Sequence, residues 1–131
     1  MSQYLVLTIP IKTISEANQR GITRLAAIFK AKRIKTQRSE TYYSLLGTYG
    51  RPTPIILERQ LVVVLTRIAP RALDQGNLEA SFKAVQDGVA DWLAGEYGKG
   101  QDRQEGLCWQ YTQQRGKPGE HAVVVTIHRD A

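Results

Sequence analysis

The stretch that decides the fold is LDQGNLEASFKAVQDGVADWLAGEYGKGQD, which runs from Leu73 to Asp102. Apolar side chains recur in it at helical spacing and predict a helix over residues 77–94, with Asn77 as its N-cap. The apolar stripe consists of Leu78, Phe82, Val85, Val89, Trp92 and Leu93. Three glycines between residues 95 and 100 then predict a loop.

The segments on either side of this helix predict the rest of the domain. Residues 23–46 predict a second helix, because Leu25, Phe29 and Ile34 fall near helical period. Runs of β-branched, apolar and aromatic residues predict four strands. These runs are residues 4–10, 55–68, 107–114 and 122–128. The order β-α-β-α-β-β predicts an α/β (α+β) fold, in which two main helices cover one face of a small mixed four-stranded sheet.

Length and composition indicate a folded single domain spanning residues 1–131. The chain is 42% hydrophobic and 23% charged, which is ordinary for a globular protein. Its one cysteine, Cys108, cannot close an intrachain disulfide or supply a Cys/His zinc cluster. The longest apolar run, Leu61–Leu65, is too short to cross a membrane. Because the N-terminus does not resemble a signal peptide, we expect a cytoplasmic protein without a membrane partner.

Positive charge favours a polyanionic partner. The formal net charge is +6, and nucleic acid is the usual partner of such a chain. We interpret one set of cations as contacts to the DNA backbone, although each alone could be a solvated surface charge. These are Lys30, Lys32, Arg33, Lys35, Arg38 and Arg71. Trp109 and Tyr111 alternate on one predicted strand, so we interpret them as packing residues rather than base-stacking ones.

Four aspartates gather within the thirty residues from 73 to 102 of this basic chain. Carboxylates in such a setting can hold Mg²⁺ against a phosphate. Each also has a simpler interpretation. Asp74 suits a turn or a cap, Asp87 can pair with Lys83 four residues earlier, and both Asp91 and Asp102 can be solvated. Helical geometry places Lys83, Asp87 and Asp91 in one row, away from the apolar stripe.

The order of these motifs resembles the RusA-type Holliday junction resolvases of bacteria and their phages. In that family an Asp-x-Asp-Asn-Leu motif follows a strand, a helix carries Lys-x-x-x-Asp, and a loop carries Asp-Asp. Here Leu73–Leu78 occupies the first motif, Lys83–Asp87 the second and Gln101–Asp102 the third. The helix sequence FKAVQDGVADWL, residues 82–93, is particularly similar to a phage-borne branch of the family.

The resemblance implies an activity and a set of site residues. It implies a homodimer that nicks branched DNA at four-way junctions in recombination and repair, with Mg²⁺ (or Mn²⁺) as cofactor. Asp74 and Asp102 would bind the metal, and Lys83 would steady the scissile phosphate. Asp87 completes the implied catalytic set. A two-fold dimer suits paired nicking, because each subunit presents one site to one strand.

Two positions depart from the family pattern. Gly76 stands where the family has its second aspartate, and Gln101 replaces the first residue of the Asp-Asp step. The loss of carboxylate charge predicts weaker Mg²⁺ binding, unless Glu79 or Asp87 compensates. Three hypotheses therefore stand: an active endonuclease, a catalytically inactive DNA-binding relative, and a phage structural or assembly protein.

Overall fold

The computed structural model describes residues 3–14, 23–52, 60–100 and 106–129, and within these ranges it contains four strands and three helices. The strands are β1 (Gln3–Ile9), β2 (Leu61–Ala69), β3 (Leu107–Arg115) and β4 (Ala122–Arg129). The helices are α1 (Arg24–Tyr49), α2 (Gln75–Ser81) and α3 (Lys83–Ala94). The predicted fold class, a small mixed four-stranded sheet with helices, is confirmed.

The sheet has the strand order β1-β4-β2-β3. Strand β4 is antiparallel to both of its neighbours, whereas β2 and β3 are parallel, with Leu61 opposite Leu107 and Ala69 opposite Arg115. Leu61, Val62 and Val63 at the start of β2 are all at most 5% exposed, so side chains on both faces of the strand are buried, as its continuous apolar run predicts. Helices α2 and α3 form the crossover between the parallel strands. The loop after β2 therefore starts beside the carboxyl end of β3.

The predicted apolar stripe forms the centre of the core. All six of its side chains are at most 5% exposed. They pack in one cluster with inward-facing residues of β2 and β4, among them Val63, Leu65 and Val125. At one end of this core the indole nitrogen of Trp92 donates to the carbonyl oxygen of Gly50 at 2.8 Å. That bond ties the end of α1 to α3.

The predicted helix over residues 77–94 is in fact two helices that meet at Phe82. Phe82 is fully buried and its ring stacks on Tyr111 with centroids 5.9 Å apart, so tertiary packing determines the backbone there. The predicted N-cap, Asn77, is wrong. The cap is Asp74, whose side chain accepts a hydrogen bond from the Asn77 backbone N–H. Asp74 precedes the first turn by one residue, where a carboxylate reaches the N–H three residues later.

Helix α1 differs between its two halves. Thr23 caps it, and it continues to Tyr49, past the predicted end at residue 46. The second half packs on α3 so closely that a Cβ at Gly88 would lie 2.6 Å from the carbonyl oxygen of Arg38. In the first half Leu25 and Phe29, which indicated the helix, are 60% and 56% exposed. The spacing of Leu25 and Phe29 therefore predicts the helix correctly, but it does not identify the face of α1 that packs against the rest of the protein.

Candidate functional site

The loop that carries Asp74 is held by a side chain of β3. The amide of Gln113 accepts a hydrogen bond from the backbone N–H of Leu73 at 2.9 Å and donates to its carbonyl oxygen at 2.7 Å. On the other side, the buried guanidinium of Arg67 donates to the carbonyl oxygen of Arg71 at 2.6 Å and to Thr13 Oγ1 at 3.1 Å. Burial lowers the pKa of Arg67. These contacts fix the position of Asp74 at the end of β2.

Asp74 has a local structural role. Its Oδ1 accepts from the backbone N–H of Asn77 at 2.9 Å, and its Oδ2 accepts from the Asn77 side-chain amide at the same distance. The interpretation of Asp74 as a capping residue is confirmed. Asp74 remains exposed, and each carboxylate oxygen retains further lone pairs. Gly76 lies beside it, because a Cβ there would stand 3.9 Å from Asp74 Oδ1.

The second motif forms the ion pair that its spacing predicts. Lys83 Nζ lies 3.2 Å from Asp87 Oδ1, and their side chains are 60% and 19% exposed. A groove of about 500 Å³ runs alongside this pair between α1 and the α2–α3 segment. Its lining includes Lys30 from α1 together with Glu79 and Lys83. The fold thus brings a predicted DNA-contact residue and a predicted catalytic lysine to one groove.

The prediction that Asp91 lies on a solvated face is wrong, because the structure buries it completely. Arg38 from α1 donates to both of its oxygens, from Nε at 2.6 Å and from Nη2 at 2.7 Å. The backbone N–H of Gly100 donates to Oδ1 at 2.8 Å, and the N–H of Gly98 contributes a further bond. Of the three charged residues predicted to lie in one row, Lys83, Asp87 and Asp91, the last is therefore buried where α1 packs on α3.

Opposing effects act on the pKa of Asp91. Burial alone raises the pKa, but the hydrogen bonds from Arg38, Gly100 and Gly98 outweigh burial and hold the pKa below its usual value. The hydrogen bond to Asp91 correspondingly raises the pKa of Arg38. The pair is ionised at neutral pH, and Arg38 serves the fold through it.

Asp91 also holds the loop that leads to the third motif. Its bonds to Gly98 and Gly100 fix the loop two residues before Asp102. Gln101 and Asp102 lie outside the described residues. Gly106 is described, and its carbonyl oxygen accepts from Leu61 N at 2.7 Å, at the end of the sheet where β2 begins.

The predicted metal site is only partly within the described residues, where Asp74 is present and Asp102 is not. Within those described ranges, groups of three or more His, Cys, Asp or Glu side chains that could hold a metal ion are absent.

The predicted DNA-contact residues divide between two places. Five lie on α1, where Lys32 and Lys35 are exposed, Lys30 and Arg33 are half-buried, and Arg38 turns toward Asp91. The sixth, Arg71, is exposed beyond the end of β2, so the structure does not bring it together with the α1 set by any described contact.

The sequence did not indicate a pair of tyrosines, of which one belongs to α1 and the other to the loop after α3. The rings of Tyr43 and Tyr97 stack with centroids 6.1 Å apart and planes 18° apart. A groove of about 340 Å³ lies against them and is also lined by Lys35, Thr36 and Ser39. The available signal was the pair Tyr42–Tyr43 following a basic stretch, but the partner Tyr97 is 54 residues away in a glycine-rich loop. Tyr43 and Tyr97 come into contact only through the packing of the folded chain.

Trp109 and Tyr111 serve packing. Both are half-buried against the core cluster, and the Tyr111 hydroxyl donates to Gln86 Oε1 at 2.6 Å. The interpretation of these rings as packing residues is confirmed.

Comparison with known proteins gives no assignment: no family model, curated protein or solved structure matches the chain. Within the described part of the chain, none of the helices has the length and apolar character needed to cross a membrane.

Proposed function

We propose that this protein is a Mg²⁺-dependent endonuclease that acts on branched DNA, in the manner of the RusA-type resolvases. The observation that carries the proposal is the groove shared by Lys30 and Lys83. The first residue belongs to the basic helix α1, and the second belongs to the motif in which the resemblance implies a catalytic lysine. DNA held along α1 would bring a phosphate to the ammonium group of Lys83.

The binding half of the proposal depends on the charge of α1. Lys32 and Lys35 stand on an exposed part of the helix, where contacts to phosphates release counterions. Affinity should therefore fall steeply as the salt concentration rises. The resemblance further implies two copies arranged about a two-fold axis, which suits the symmetry of a four-way junction.

The catalytic half depends on the acidic positions. Asp87 holds Lys83 at the edge of the groove, so the ammonium group is oriented before a phosphate arrives. An ammonium group in this position stabilises the negative charge that develops on a phosphate during hydrolysis. The resemblance implies Asp74 and Asp102 as ligands of Mg²⁺. Asp74 lies beyond the carboxyl end of β2, whereas Gly100 and Gly106, the described residues on either side of the Asp102 segment, lie after α3 and at the start of β3. This separation counts against a single shared ion.

A second candidate function is junction binding without catalysis. It is favoured by Asp74, both of whose oxygens accept hydrogen bonds from Asn77, and by Gly76, which stands where the family has its second carboxylate. The backbone accommodates a side chain at position 76, since the nearest atom to a Cβ there is 3.9 Å away. If the site binds metal, G76D should lower the Mg²⁺ concentration needed for nicking. An unchanged or weaker Mg²⁺ response would contradict the placement of Gly76 in the acidic motif.

The experiment that separates the two candidates compares the wild type with D102N on a labelled four-way junction. For the endonuclease we expect D102N to abolish nicking while junction affinity stays within about twofold of the wild type. Tight junction binding by a wild type that does not nick would support the inactive relative. Binding that does not distinguish a junction from heparin over a range of salt concentrations would contradict both candidates and favour a structural protein.

A further inference from the structure

The paired tyrosines beside α1 have the geometry of a stacking surface. Tyr43 and Tyr97 present nearly parallel rings, and Tyr43 is 57% exposed although it belongs to the helix that packs on α3. Aromatic rings left at a protein surface beside cations are the usual means of binding unpaired bases, because every base has a π-face. Tyr43 therefore needs an explanation beyond core packing, whereas Tyr97 is half-buried against the core cluster and stacks on Tyr43.

Buried groups hold this pair in place. Tyr42, which is 7% exposed, meets the ring of Tyr43 edge-on at 4.9 Å and that of Tyr97 at 5.6 Å. The guanidinium of Arg38 lies 5.8 Å from the centroid of Tyr97 and is itself fixed by Asp91. The rings are thus positioned by a buried ion pair and a buried aromatic side chain, so little order needs to be gained on binding.

The groove against the rings fits one class of ligand. Its volume of about 340 Å³ is near the lower end for small-molecule sites and suits a single nucleotide better than a duplex. Lys35 provides a cation for the phosphate, and the hydroxyls of Thr36 and Ser39 line the same groove. A base inside a duplex is already stacked on its neighbours, so only an unpaired base can place its face on a tyrosine ring.

We propose that Tyr43 and Tyr97 form a stacking site for an unpaired nucleotide, with Lys35 at its phosphate. This inference rests on the proposed function and specifies the DNA feature that the protein recognises: the open bases at a branch point. The site lies next to the loop that Asp91 holds, two residues before Asp102.

The test uses 2-aminopurine, whose fluorescence is quenched on stacking, in a short oligo-dT strand and, separately, at the centre of a four-way junction, in EDTA so that nicking plays no part. We expect the wild type to quench the bound oligo-dT probe several-fold, because its bases are unpaired before binding. Y43A and Y97A should remove most of that quenching and weaken oligo-dT binding about tenfold. Y97F, which keeps the ring, should behave like the wild type.

F29A is the matched control, because Phe29 is also an exposed aromatic residue of α1, 56% exposed against 57% for Tyr43. It lies outside the groove and should change neither quenching nor affinity. K35A should reduce the dependence of binding on salt while the quenching of bound probe persists. Circular dichroism of each variant shows whether the fold is retained, and Y43A removes an exposed side chain.

The possible failures are distinguishable. Salt-dependent binding with no quenching by the wild type, or quenching that survives in Y43A and Y97A, would overturn the stacking site and leave the proposed function standing. Loss of quenching in F29A to the same extent as in Y43A would overturn it as well. Absence of DNA binding by the wild type at low salt would overturn the proposed function and the stacking site together.

Discussion

Asp87 and Asp91 stand one turn apart on α3 and have opposite environments. Asp87 pairs with a lysine of its own helix at the surface, at 3.2 Å. Asp91 is fully buried and accepts hydrogen bonds from Arg38 of α1 and from the loop that follows α3. Helical spacing places both on the same face of α3, so the difference in burial comes from the element that packs against each one. Asp91 therefore holds the fold, whereas Asp87 pairs with Lys83, whose side chain lines the groove.

The basic residues of α1 also divide into one that is paired inside the fold and others that lie at the surface. Arg38 and Lys35 are neighbours on α1, yet Arg38 turns toward a buried carboxylate while Lys35 lines the tyrosine groove. Charge clustering in the sequence therefore overstates the number of groups available to DNA. The sequence also gives no sign that two distant segments are connected. The Arg38–Asp91 pair links α1, which we propose binds DNA, to the loop that precedes Asp102.

Replacement of Asp91 should produce the largest effect. D91A leaves the half-buried Arg38 guanidinium without its carboxylate and leaves the N–H groups of Gly98 and Gly100 without their acceptor. We expect a loss of about 3–5 kcal/mol in the free energy of unfolding. Urea unfolding followed by the fluorescence of the two tryptophans, Trp92 and Trp109, measures this loss. A loss below about 1 kcal/mol would contradict the structural role of Asp91.

Acid titration tests the same pair without changing its partners. The pKa of Asp91 is lower in the folded than in the unfolded protein, so its stabilising contribution is complete above the unfolded value of about 3.9. That contribution is lost as the pH falls through the lower folded pKa. We expect the wild type to lose stability over this acidic range more steeply than D91N, which cannot titrate. Parallel curves for the two proteins would contradict the assignment.

Replacement of Asp74 should have a smaller effect that separates capping from metal binding. D74A removes the N-cap of α2 and should cost about 1 kcal/mol. D74N keeps an acceptor for the Asn77 N–H and should match the wild type within a few tenths of a kcal/mol. Both variants should lose nicking if Asp74 binds the metal. Full nicking by D74N would show that the residue serves only as a cap.

Replacement of Asp87 should have the smallest effect on stability. D87A removes an exposed pair within one helix, which contributes roughly 0.2–0.5 kcal/mol. Its effect on the junction reaction should be greater, since Asp87 orients Lys83 at the groove. K83A serves as the partner variant, and a double-mutant cycle measures the coupling between them. A cost to stability as large as that of D91A would remove the contrast between the two aspartates.

The sequence predicts the parts of the fold that depend on local pattern. The buried apolar stripe of α2 and α3, the strand β2 and the Lys83–Asp87 pair follow from spacing alone, because helix and strand periods determine which side chains share a face. The break at Phe82 and the burial of Asp91 do not follow. Each depends on a partner distant in the sequence, Tyr111 for the ring of Phe82 and Arg38 for the carboxylate of Asp91.

The candidate site is predictable to a similar extent. Order and spacing place Asp74 at the end of a strand and Lys83 on a helix, whereas the meeting of Lys30 with Lys83 and of Tyr43 with Tyr97 requires the packing of α1 on α3. The first half of α1 shows most clearly that a periodic pattern does not identify the buried face of a helix. Leu25 and Phe29, whose spacing predicts the helix, remain exposed.

The most direct test of the proposed function is cleavage of a labelled four-way junction with and without Mg²⁺, beside a linear duplex of the same sequences. The account predicts paired nicks near the branch point, in the junction only and only with Mg²⁺. Junction-selective binding with no nicks at any Mg²⁺ concentration would contradict the enzymatic part of the account. Equal affinity for junction and duplex, with no nicks, would contradict the whole of it.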